Sequence, residues 1–552
     1  MAIRSSFAAA LVAAAAVAGA PVAAGTPASA PRITSYRNPV LPGFYPDPSV
    51  VRVGEWFYLV NSSFEFFPGV PLHRSRDLVH WEPLGHVLTR DSQLPLGHAG
   101  PSGGIFAPTI RYHAGTFYLI TTNVSHGGSF FVTANDPAGP WSEPVWLEMS
   151  GGGIDPSLFF DDDGKVYLTS TGREPGIYAA QIDIATGKLL TAPRIVWKGT
   201  GGRYAEGPHL YKIAGRYYLM ISEGGTEYGH MVTIARAPSP WGPFEPCPRN
   251  PILTHRNTPL SEPIQATGHA DLVEDGEGHW WMVFLGIRPQ GGYYWHHLGR
   301  ETFLAPVRWD AQGWPVVNDG QPIALEMHVQ GLPAAPLPTP PVRDDFDGAS
   351  LGPAWSFLRN PRRTAYSTTE RPGWLTLHPE DASLDSETGS SPAFVGRRQQ
   401  HLAARIATRL DFQPGHDGDE AGLVLYRAPH ARYELGVRRH GTAREVFVRQ
   451  IVGVDVSTVT AGAVVIPSGP LILQIDAEPT RYTFSWGPVP SARAGTAAVT
   501  VMAPLGEAET RLLATEVTGG FTGTFAGLYV RAGKHRNPAS AAFDWFDYQP
   551  KP

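Results

Sequence analysis

The sequence predicts an all-β protein in which a five-bladed β-propeller is followed by an antiparallel β-sandwich. Three observations support this prediction: a composition rich in turn-forming residues, a hairpin pattern that occurs five times, and a proline-rich break after the fifth copy. The 552 residues include 61 glycines, 53 prolines and 60 aromatic residues. This balance is typical of many short strands joined by turns, so long helices are not expected.

Composition also limits the class of protein. Hydrophobic residues make up 42% of the chain and charged residues 17%, so it can bury a large core. The net charge is −6 and no long basic run is present, which argues against a nucleic-acid partner. Because Cys247 is the single cysteine, the chain cannot form an internal disulfide or a thiolate zinc site. The stability of the fold must therefore come from packing.

The first thirty residues have the composition of a secretory signal peptide. Arg4 precedes a stretch rich in alanine and valine, and the sequence ASA at 28–30 matches the small-residue pattern that signal peptidases cleave. A membrane anchor would need about 20 strongly apolar residues, whereas this stretch is mostly alanine and is interrupted by Gly19 and Pro21. We predict that residues 1–30 are a signal peptide and that the mature protein is exported, to a periplasm or outside the cell, without membrane association.

A short aromatic strand pattern recurs five times in the segment from 31 to 330. Each copy starts with a tight turn and follows a small-residue segment, so the repeated unit is a β-hairpin. The five copies are GEWFYLV (54–60), AGTFYLI (114–120), DGKVYLT (163–169), AGRYYLM (214–220) and EGHWWMV (277–283). Units that recur in this way, each too short for a core of its own, are typical of a radially stacked β-propeller.

A composition break separates the repeats from the rest of the chain. The segment GLPAAPLPTPP at 331–341 has five prolines in eleven residues, which favours a stiff, extended connector. We therefore assign the propeller to residues 31–330, the linker to 331–342 and the sandwich to 343–552.

The segment after the linker alternates apolar and polar residues in short runs. Examples are WLTLHP at 374–379 and REVFVRQ at 444–450, and such runs predict the antiparallel strands of a sandwich. Its first and last segments, DDFDG at 344–348 and FDWFDY at 543–548, are expected to lie side by side.

Three of the five repeats carry a carboxylate where the inner strand begins. These residues are Asp47, Asp155 and Glu206. Because the inner strands of a propeller surround its axis, equivalent positions of different repeats converge. A turn or capping role explains a single aspartate, but it does not explain why three like charges are brought together at a cost in stability. The set therefore predicts a catalytic site.

Converging carboxylates are typical of glycoside hydrolysis. One carboxyl protonates the leaving oxygen, a second activates water, and a third raises the pKa of the proton donor by disfavouring another negative charge nearby. Two other classes of propeller protein are alternatives. A carbohydrate-binding propeller without catalysis would be expected to lack one of these carboxylates. A protein-interaction propeller of the WD type would be expected to repeat the WD dipeptide.

The same segments resemble glycoside hydrolase family 43, the five-bladed-propeller glycosidases that include β-xylosidases and α-L-arabinofuranosidases. The resemblance covers essentially the whole propeller, and the C-terminal part resembles the concanavalin-like jelly roll found in xylosidase-type subfamilies. The matching segments are NPVLPGFYPDPSVVRVG (38–54), NSSFEFFPGVPLHRSRDLVHWEPLG (61–85), SGGIFAPTIRY (102–112), GGIDPSLFFDDDGKVYL (152–168), YAEGPHLYKIAGRYYL (204–219), ATGHADLVED (266–275) and LGRETFLAP (298–306).

The resemblance implies a role for each matching residue. Asp47 in YPDPS matches the general base, Glu206 in AEGPH the general acid, and Asp155 in GIDPS the residue that tunes the pKa of that acid. His269 in TGHAD matches the central histidine that contacts an ion or water on the axis. Arg300 in LGRET resembles the arginine that reaches sugar hydroxyls.

Aromatic residues close to these motifs are candidates for substrate binding. Phe64, Phe66 and Phe106 offer flat apolar surfaces on which a pentose can stack, and packing inside a hairpin explains them nearly as well. Phe106 stands where many relatives carry tryptophan, so the shape of the sugar pocket is expected to differ there.

No cofactor is required by this interpretation. The chain has 20 histidines but no HExxH motif and no spaced His/Cys quartet, which argues against a catalytic metal. If an ion is bound on the propeller axis, the pattern favours a structural calcium held by oxygen ligands, with His269 touching its shell.

We therefore predict an inverting exo-glycosidase that removes terminal β-1,4-linked xylose from xylo-oligosaccharides or from arabinoxylan-derived substrates. An α-L-arabinofuranosidase or a bifunctional enzyme is the alternative within this class, because the two pentoses can place similar hydroxyls in one small pocket. An exo-acting pocket needs a wall that a shallow propeller face does not supply, so the sandwich is expected to pack against the propeller. The sequence carries no signal for an oligomeric state.

Overall fold

The protein is described from a computed structural model that covers most of the chain. The described residues are 32–149, 152–290, 294–338, 341–453, 457–489, 501–533, 535 and 538–551. The predicted signal peptide at 1–30 lies outside them. Within the described part, helix is confined to the α-helical turn Thr515–Thr518 and the 3₁₀ turns Asn318–Gly320 and Thr510–Leu513. No helix of these residues has the length and apolar character needed to cross a membrane.

Five antiparallel sheets of four or five strands follow one another, each built on one of the predicted hairpins. We number them as the first to fifth sheets and call the earliest strand of each its inner strand. Their strands are Ser49–Val53, Trp56–Val60, Gly69–Ser75 and Glu82–Leu88 in the first; Thr109–His113, Thr116–Asn123, Gly128–Ala134 and Val145–Trp146 in the second; Ser157–Phe160, Val166–Ser170, Ile177–Asp183, Lys188–Leu189 and Arg194–Trp197 in the third; Glu206–Ile213, Arg216–Glu223, Met231–Ala237, Glu245–Pro246 and Leu253–Thr254 in the fourth; Gln265–Glu274, Trp280–Ile287, Glu301–Trp309 and Pro315–Val317 in the fifth.

The five sheets close into a ring of the propeller type. The inner strand of each sheet contacts the inner strand of the next, and that of the fifth contacts that of the first. Outside the ring, strand Arg32–Arg37 pairs with strand Glu326–Pro333. Residues 331–333 of the predicted linker thus belong to a strand. Proline is tolerated there because the end of a strand does not need every backbone donor.

The C-terminal domain is a sandwich of two antiparallel sheets. Among the described residues, one sheet contains Arg343–Asp344, Tyr366–Ser367, Leu375–Leu377, Ala404–Asp411, Leu471–Ala477, Arg481–Pro488, Ala503–Glu509 and Ala541–Pro550; the other contains Phe394–Arg398, Glu420–Ala428, Ala431–His440, Ala443–Val452, Ser457–Val465 and Phe525–Arg531. Buried side chains from both sheets form one apolar core between them. The predicted neighbours at the two ends of this domain are confirmed, since Arg343 pairs with Asp547.

The sandwich packs directly on the propeller, as the need for a pocket wall led us to expect. The strand Phe66–Phe67 of the propeller pairs with Phe357–Leu358 of the sandwich, and the ring of Phe66 stacks on that of Phe525 at 4.0 Å. Apolar side chains of both domains form a shared cluster, which comprises Phe44, Phe64, Phe66, Leu358, Leu384, Phe394, Val424, Tyr426, Phe525 and Tyr529. Phe66, a candidate for sugar stacking, is thus fully buried in the domain interface.

Candidate active site

Four of the five repeats have the same unusual backbone at the same position. Asp47, Asp155, Gly207 and His269 have φ angles of 53°, 56°, 57° and 46°. A left-handed conformation at a residue other than glycine costs about 1–3 kcal/mol and concentrates at functional sites. The left-handed residue that recurs in or just before four inner strands therefore brings Asp47, Asp155 and His269 to the axis, with Glu206 next to Gly207.

The contacts among these side chains demonstrate that they converge. The carboxylate of Asp155 accepts a hydrogen bond of 3.1 Å from the backbone N–H of Gly207. The imidazole of His269 lies 3.8 Å from the carboxylate of Asp47 and packs directly over Gly207, where a Cβ atom would lie 3.1 Å from the ring. Glycine is therefore needed at 207 both for its backbone angle and for the ring above it.

Asp47 is buried but well partnered. Its Oδ1 accepts a hydrogen bond of 2.8 Å from Nη1 of Arg300, and its Oδ2 accepts one of 2.5 Å from the hydroxyl of Ser62. Burial alone would raise the pKa of this carboxyl, but the charge of Arg300, helped by His269 and Ser62, lowers it below its ordinary value. Asp47 is therefore an ionised carboxylate at neutral pH, as a base must be.

Glu206 has the opposite environment. Its side chain is 19% exposed, and its nearest basic neighbour, His230, lies 3.7 Å away. Burial and the carboxylates of Asp155 and Asp47 raise its pKa well above the ordinary value, which Arg300 opposes. A carboxyl in this situation stays protonated at a pH where an ordinary glutamate is ionised.

Asp155 shares the buried site with Glu206. Burial raises the pKa of Asp155 as well, against the nearby charge of His269 and the hydrogen bond from Gly207. Asp155 and Glu206 therefore titrate as a coupled pair, in which a negative charge on one carboxyl disfavours ionisation of the other.

Sequence reasoning missed His230, which lies behind the acid. The residue is fully buried, and burial lowers the pKa of its imidazole to about 3, so the ring is neutral. It packs against Gly268, where a Cβ atom would lie 2.3 Å from the ring. The motif YGHM around it carries no signal that separates it from an ordinary core histidine.

Aromatic rings from both domains form one wall of the site. Phe64 and Phe106 are 5.2 Å apart between ring centroids, and Phe521 of the sandwich lies 6.2 Å from Phe64 with the ring planes 27° apart. The guanidinium of Arg300 lies 5.6 Å from the ring of Phe64 and 5.8 Å from that of Phe521. The structure thus brings the predicted Phe64, Phe106 and Arg300 together, and it adds Phe521, which sequence reasoning missed.

The polar residues farther along the inner strands are paired with one another. Asp271 accepts hydrogen bonds of 2.9 Å from Arg111 and 2.6 Å from the hydroxyl of Tyr211. The same guanidinium lies 2.9 Å from the ring of His209. A divalent cation beside Asp271 would meet a fixed positive charge and a carboxylate that is already neutralised. The guanidinium of Arg111 therefore supplies the positive charge that balances Asp271.

Comparison with known proteins agrees with the geometry. The sequence profile described as Glycosyl hydrolases family 43 matches residues 36–315, and the profile described as Beta xylosidase C-terminal Concanavalin A-like domain matches residues 343–549. A non-reducing end α-L-arabinofuranosidase of Bacteroides ovatus is 44% identical, over 93% of this chain and 95% of that protein.

Two further relatives carry xylosidase names. A xylan 1,3-β-xylosidase of a Vibrio species is 37% identical, over 93% of this chain and 99% of that protein. The crystal structure of a xylan β-1,4-xylosidase from Bacillus halodurans has a TM-score of 0.86 and 36% identity, covering 93% of this chain and all of that one. These relatives share both domains with the present chain.

Proposed function

The chain belongs to family 43 of the glycosyl hydrolases and is an exo-acting enzyme of the xylosidase/arabinofuranosidase group, and we propose that it removes terminal β-1,4-linked xylose from xylo-oligosaccharides with inversion at the anomeric carbon. The observation that carries this proposal is the opposite environment of two carboxyls in one site. Asp47 accepts hydrogen bonds from Arg300 and Ser62 and has a lowered pKa, whereas burial and the neighbouring carboxylates of Asp155 and Asp47 raise the pKa of Glu206.

These two groups divide the chemistry between them. Asp47 takes a proton from a water molecule as the water oxygen bonds to the anomeric carbon. Glu206 gives its proton to the glycosidic oxygen as the bond between that oxygen and the anomeric carbon breaks. Asp155 supports the acid by keeping a negative charge close to it. Because water attacks opposite the leaving group, the released sugar has the inverted configuration.

The wall around the site accounts for exo action on a small sugar. Phe106 and the exposed Phe521 border the site, Phe64 packs behind them with little exposed surface, and Arg300 supplies donors for sugar hydroxyls. Such a pocket admits one terminal pentose. We propose that the five sheets are the blades of a five-bladed propeller and that the sandwich is part of the catalytic unit.

The second candidate is α-L-arabinofuranosidase activity, alone or beside the first. It is favoured by the 44% identical relative from Bacteroides ovatus, which carries that name. The deciding experiment compares kcat/KM on aryl β-D-xylopyranoside and aryl α-L-arabinofuranoside with one preparation of the enzyme. A preference for the xyloside supports the first candidate, and a preference for the arabinofuranoside overturns it.

Stereochemistry tests the mechanism separately. Proton NMR of the first-formed sugar from a β-xyloside should show α-xylose, because water attacks the anomeric carbon from the face opposite the leaving group. Inverting sites leave about 6.5–9.5 Å between acid and base to accommodate that water. Release of β-xylose would contradict the role given to Asp47.

Export remains part of the proposal. The signal pattern at 1–30 supports a periplasmic or extracellular enzyme that meets oligosaccharides of hemicellulose. N-terminal sequencing of the protein recovered from the expressing cells tests this, and cleavage after Ala30 is the expected result.

A further inference from the structure

Two histidines and an aspartate meet at one end of the sandwich, away from the carboxyl cluster of the propeller. His416 and Asp419 lie just before the strand Glu420–Ala428, and His535 lies just after the strand Phe525–Arg531. These strands are neighbours in one sheet, with Glu420 opposite Arg531. The two loops therefore leave the sheet side by side.

The three side chains already face one another. Nε2 of His535 lies 2.5 Å from Oδ1 of Asp419, and Nδ1 of His416 lies 3.9 Å from Oδ2 of the same carboxylate. The two imidazole rings are 3.9 Å apart between centroids. One ligand atom from each residue falls within 4.8 Å of the others. An ion would replace the hydrogen bond between His535 and Asp419, and rotation of His416, whose side chain is 54% exposed, would bring its ring nitrogen to the same ion.

The carboxylate of Asp419 is held in a fixed orientation by backbone hydrogen bonds. It is 1% exposed and accepts backbone hydrogen bonds of 3.0 Å from both Gly415 and His416 and of 3.1 Å from Gly533. The backbone of both loops thus fixes the orientation of the acid. In metal sites, such outer hydrogen bonds orient the ligands and strengthen binding.

The kind of donor atom selects the kind of ion. Two imidazole nitrogens with one carboxylate oxygen suit zinc and similar transition metals, whereas calcium and magnesium prefer a shell made of oxygens. We propose that His416, Asp419 and His535 bind a divalent transition-metal ion, with zinc as the expected occupant. The ion would link two loops in a chain whose single cysteine permits no internal disulfide.

Zinc titration of the full-length enzyme tests the proposal. After dialysis against a chelator, isothermal calorimetry at neutral pH should detect one zinc site that is lost or at least about tenfold weaker in both His416→Gln and His535→Gln. The matched control is His440→Gln, an exposed histidine on a nearby hairpin that pairs with Glu445. This control should bind zinc as the unmodified enzyme does.

Thermal unfolding provides the second measurement. An ion that binds only the folded state raises the melting temperature, so zinc should stabilise the unmodified enzyme and His440→Gln but neither ligand variant. Equal melting of all four proteins in chelator would show that the substitutions leave the fold intact. Absence of a zinc site in the unmodified enzyme, or zinc binding by His416→Gln and His535→Gln equal to that of the unmodified enzyme, would overturn the proposal.

Discussion

Two clusters of buried polar side chains lie along the inner strands of the propeller, one around Asp271 and one around Glu206, and the pKa values of these two carboxyls are shifted in opposite directions. Asp271 is paired with Arg111 and also accepts hydrogen bonds from Tyr211 and Ser49. Burial would raise the pKa of Asp271, but Arg111, His209 and the hydroxyl of Tyr211 lower it. Among the described residues Glu206 has no comparable partner, and its pKa is raised well above the ordinary value. Burial alone therefore does not set the charge of a carboxyl, because its partners decide the sign of the shift.

The opposite pKa shifts of Asp271 and Glu206 have opposite effects on how stability depends on pH. A lowered pKa means that Asp271 stabilises the fold at neutral pH, and this contribution is lost only as the pH falls below the ordinary range of aspartate. A raised pKa means that Glu206 favours the fold at low pH and that this contribution is lost as the pH rises through its folded value. The cluster around Glu206 thus gives up stability at higher pH, which fits the role of general acid that we propose for Glu206.

Removal of the base should have the largest effect. For Asp47→Ala we expect kcat/KM to fall by about 10²- to 10⁴-fold, because water is no longer activated. The loss should be similar on xylobiose and on an activated aryl xyloside, since the base acts on water and not on the leaving group. Steady-state kinetics on both substrates, with circular dichroism as a control for folding, provide the measurement. A loss confined to xylobiose would contradict the role of Asp47.

Removal of the acid should be as damaging on one substrate only. For Glu206→Ala we expect hydrolysis of xylobiose to fall by about 10²- to 10⁴-fold, because a sugar alkoxide leaves only when it is protonated. An aryl xyloside with a nitrophenolate leaving group should lose much less activity. Equal losses on the two substrates, in a folded variant, would move the role of acid to Asp155.

Breaking the other cluster should reduce stability. Arg111→Met leaves Asp271 buried without its cation, which costs about 3–5 kcal/mol when one partner of a buried pair is removed. The melting temperature should fall clearly, as measured by calorimetry. Glu206→Gln is the matched comparison and should melt no lower than the unmodified enzyme, because the basic side chain closest to Glu206 in the described part of the chain, His230, is neutral. Equal melting of Arg111→Met and the unmodified enzyme would show that the Asp271 cluster does not stabilise the fold.

The charge on Asp155 should affect the pH profile. Asp155→Asn removes a negative charge that raises the pKa of Glu206, so Glu206 should lose its proton at a lower pH. The alkaline limb of the kcat/KM profile should therefore move to lower pH, while the acidic limb, which reports Asp47, should change less. An alkaline limb that stays in place or moves upward would argue that Asp155 acts only by position.

The wall from the sandwich should have the smallest effect. Phe521→Ala removes a ring that faces Phe64 and Arg300, and contacts of this kind are worth about 0.5–1.5 kcal/mol. We expect kcat/KM on xylobiose to fall by roughly two- to tenfold, mainly through KM. Val517→Ala, an exposed position on the neighbouring helical turn, should leave the kinetics unchanged. Unchanged kinetics for Phe521→Ala would place that ring outside the pocket.

The repeats made much of the propeller predictable. Each hairpin has its own turn and its own aromatic strand. Local sequence is therefore enough to locate aromatic strands such as Trp56–Val60 and Thr116–Asn123. The predicted linker was less accurate at its start, because residues 331–333 pair with the N-terminal strand. That pairing joins segments about 300 residues apart, and no local pattern encodes it.

The sequence alone determined the all-β class, the two-domain organisation and the set Asp47, Asp155 and Glu206, because repeated units place equivalent residues at equivalent sites. Only the tertiary structure decided the environment of each carboxyl, since the contact of Asp47 with Arg300 and the approach of Asp155 to Glu206 depend on how distant strands meet. It also decided that Phe521 completes the pocket wall from another domain. Long-range packing determines the electrostatic environment and the shape of a site, whereas local sequence determines which side chains the site contains.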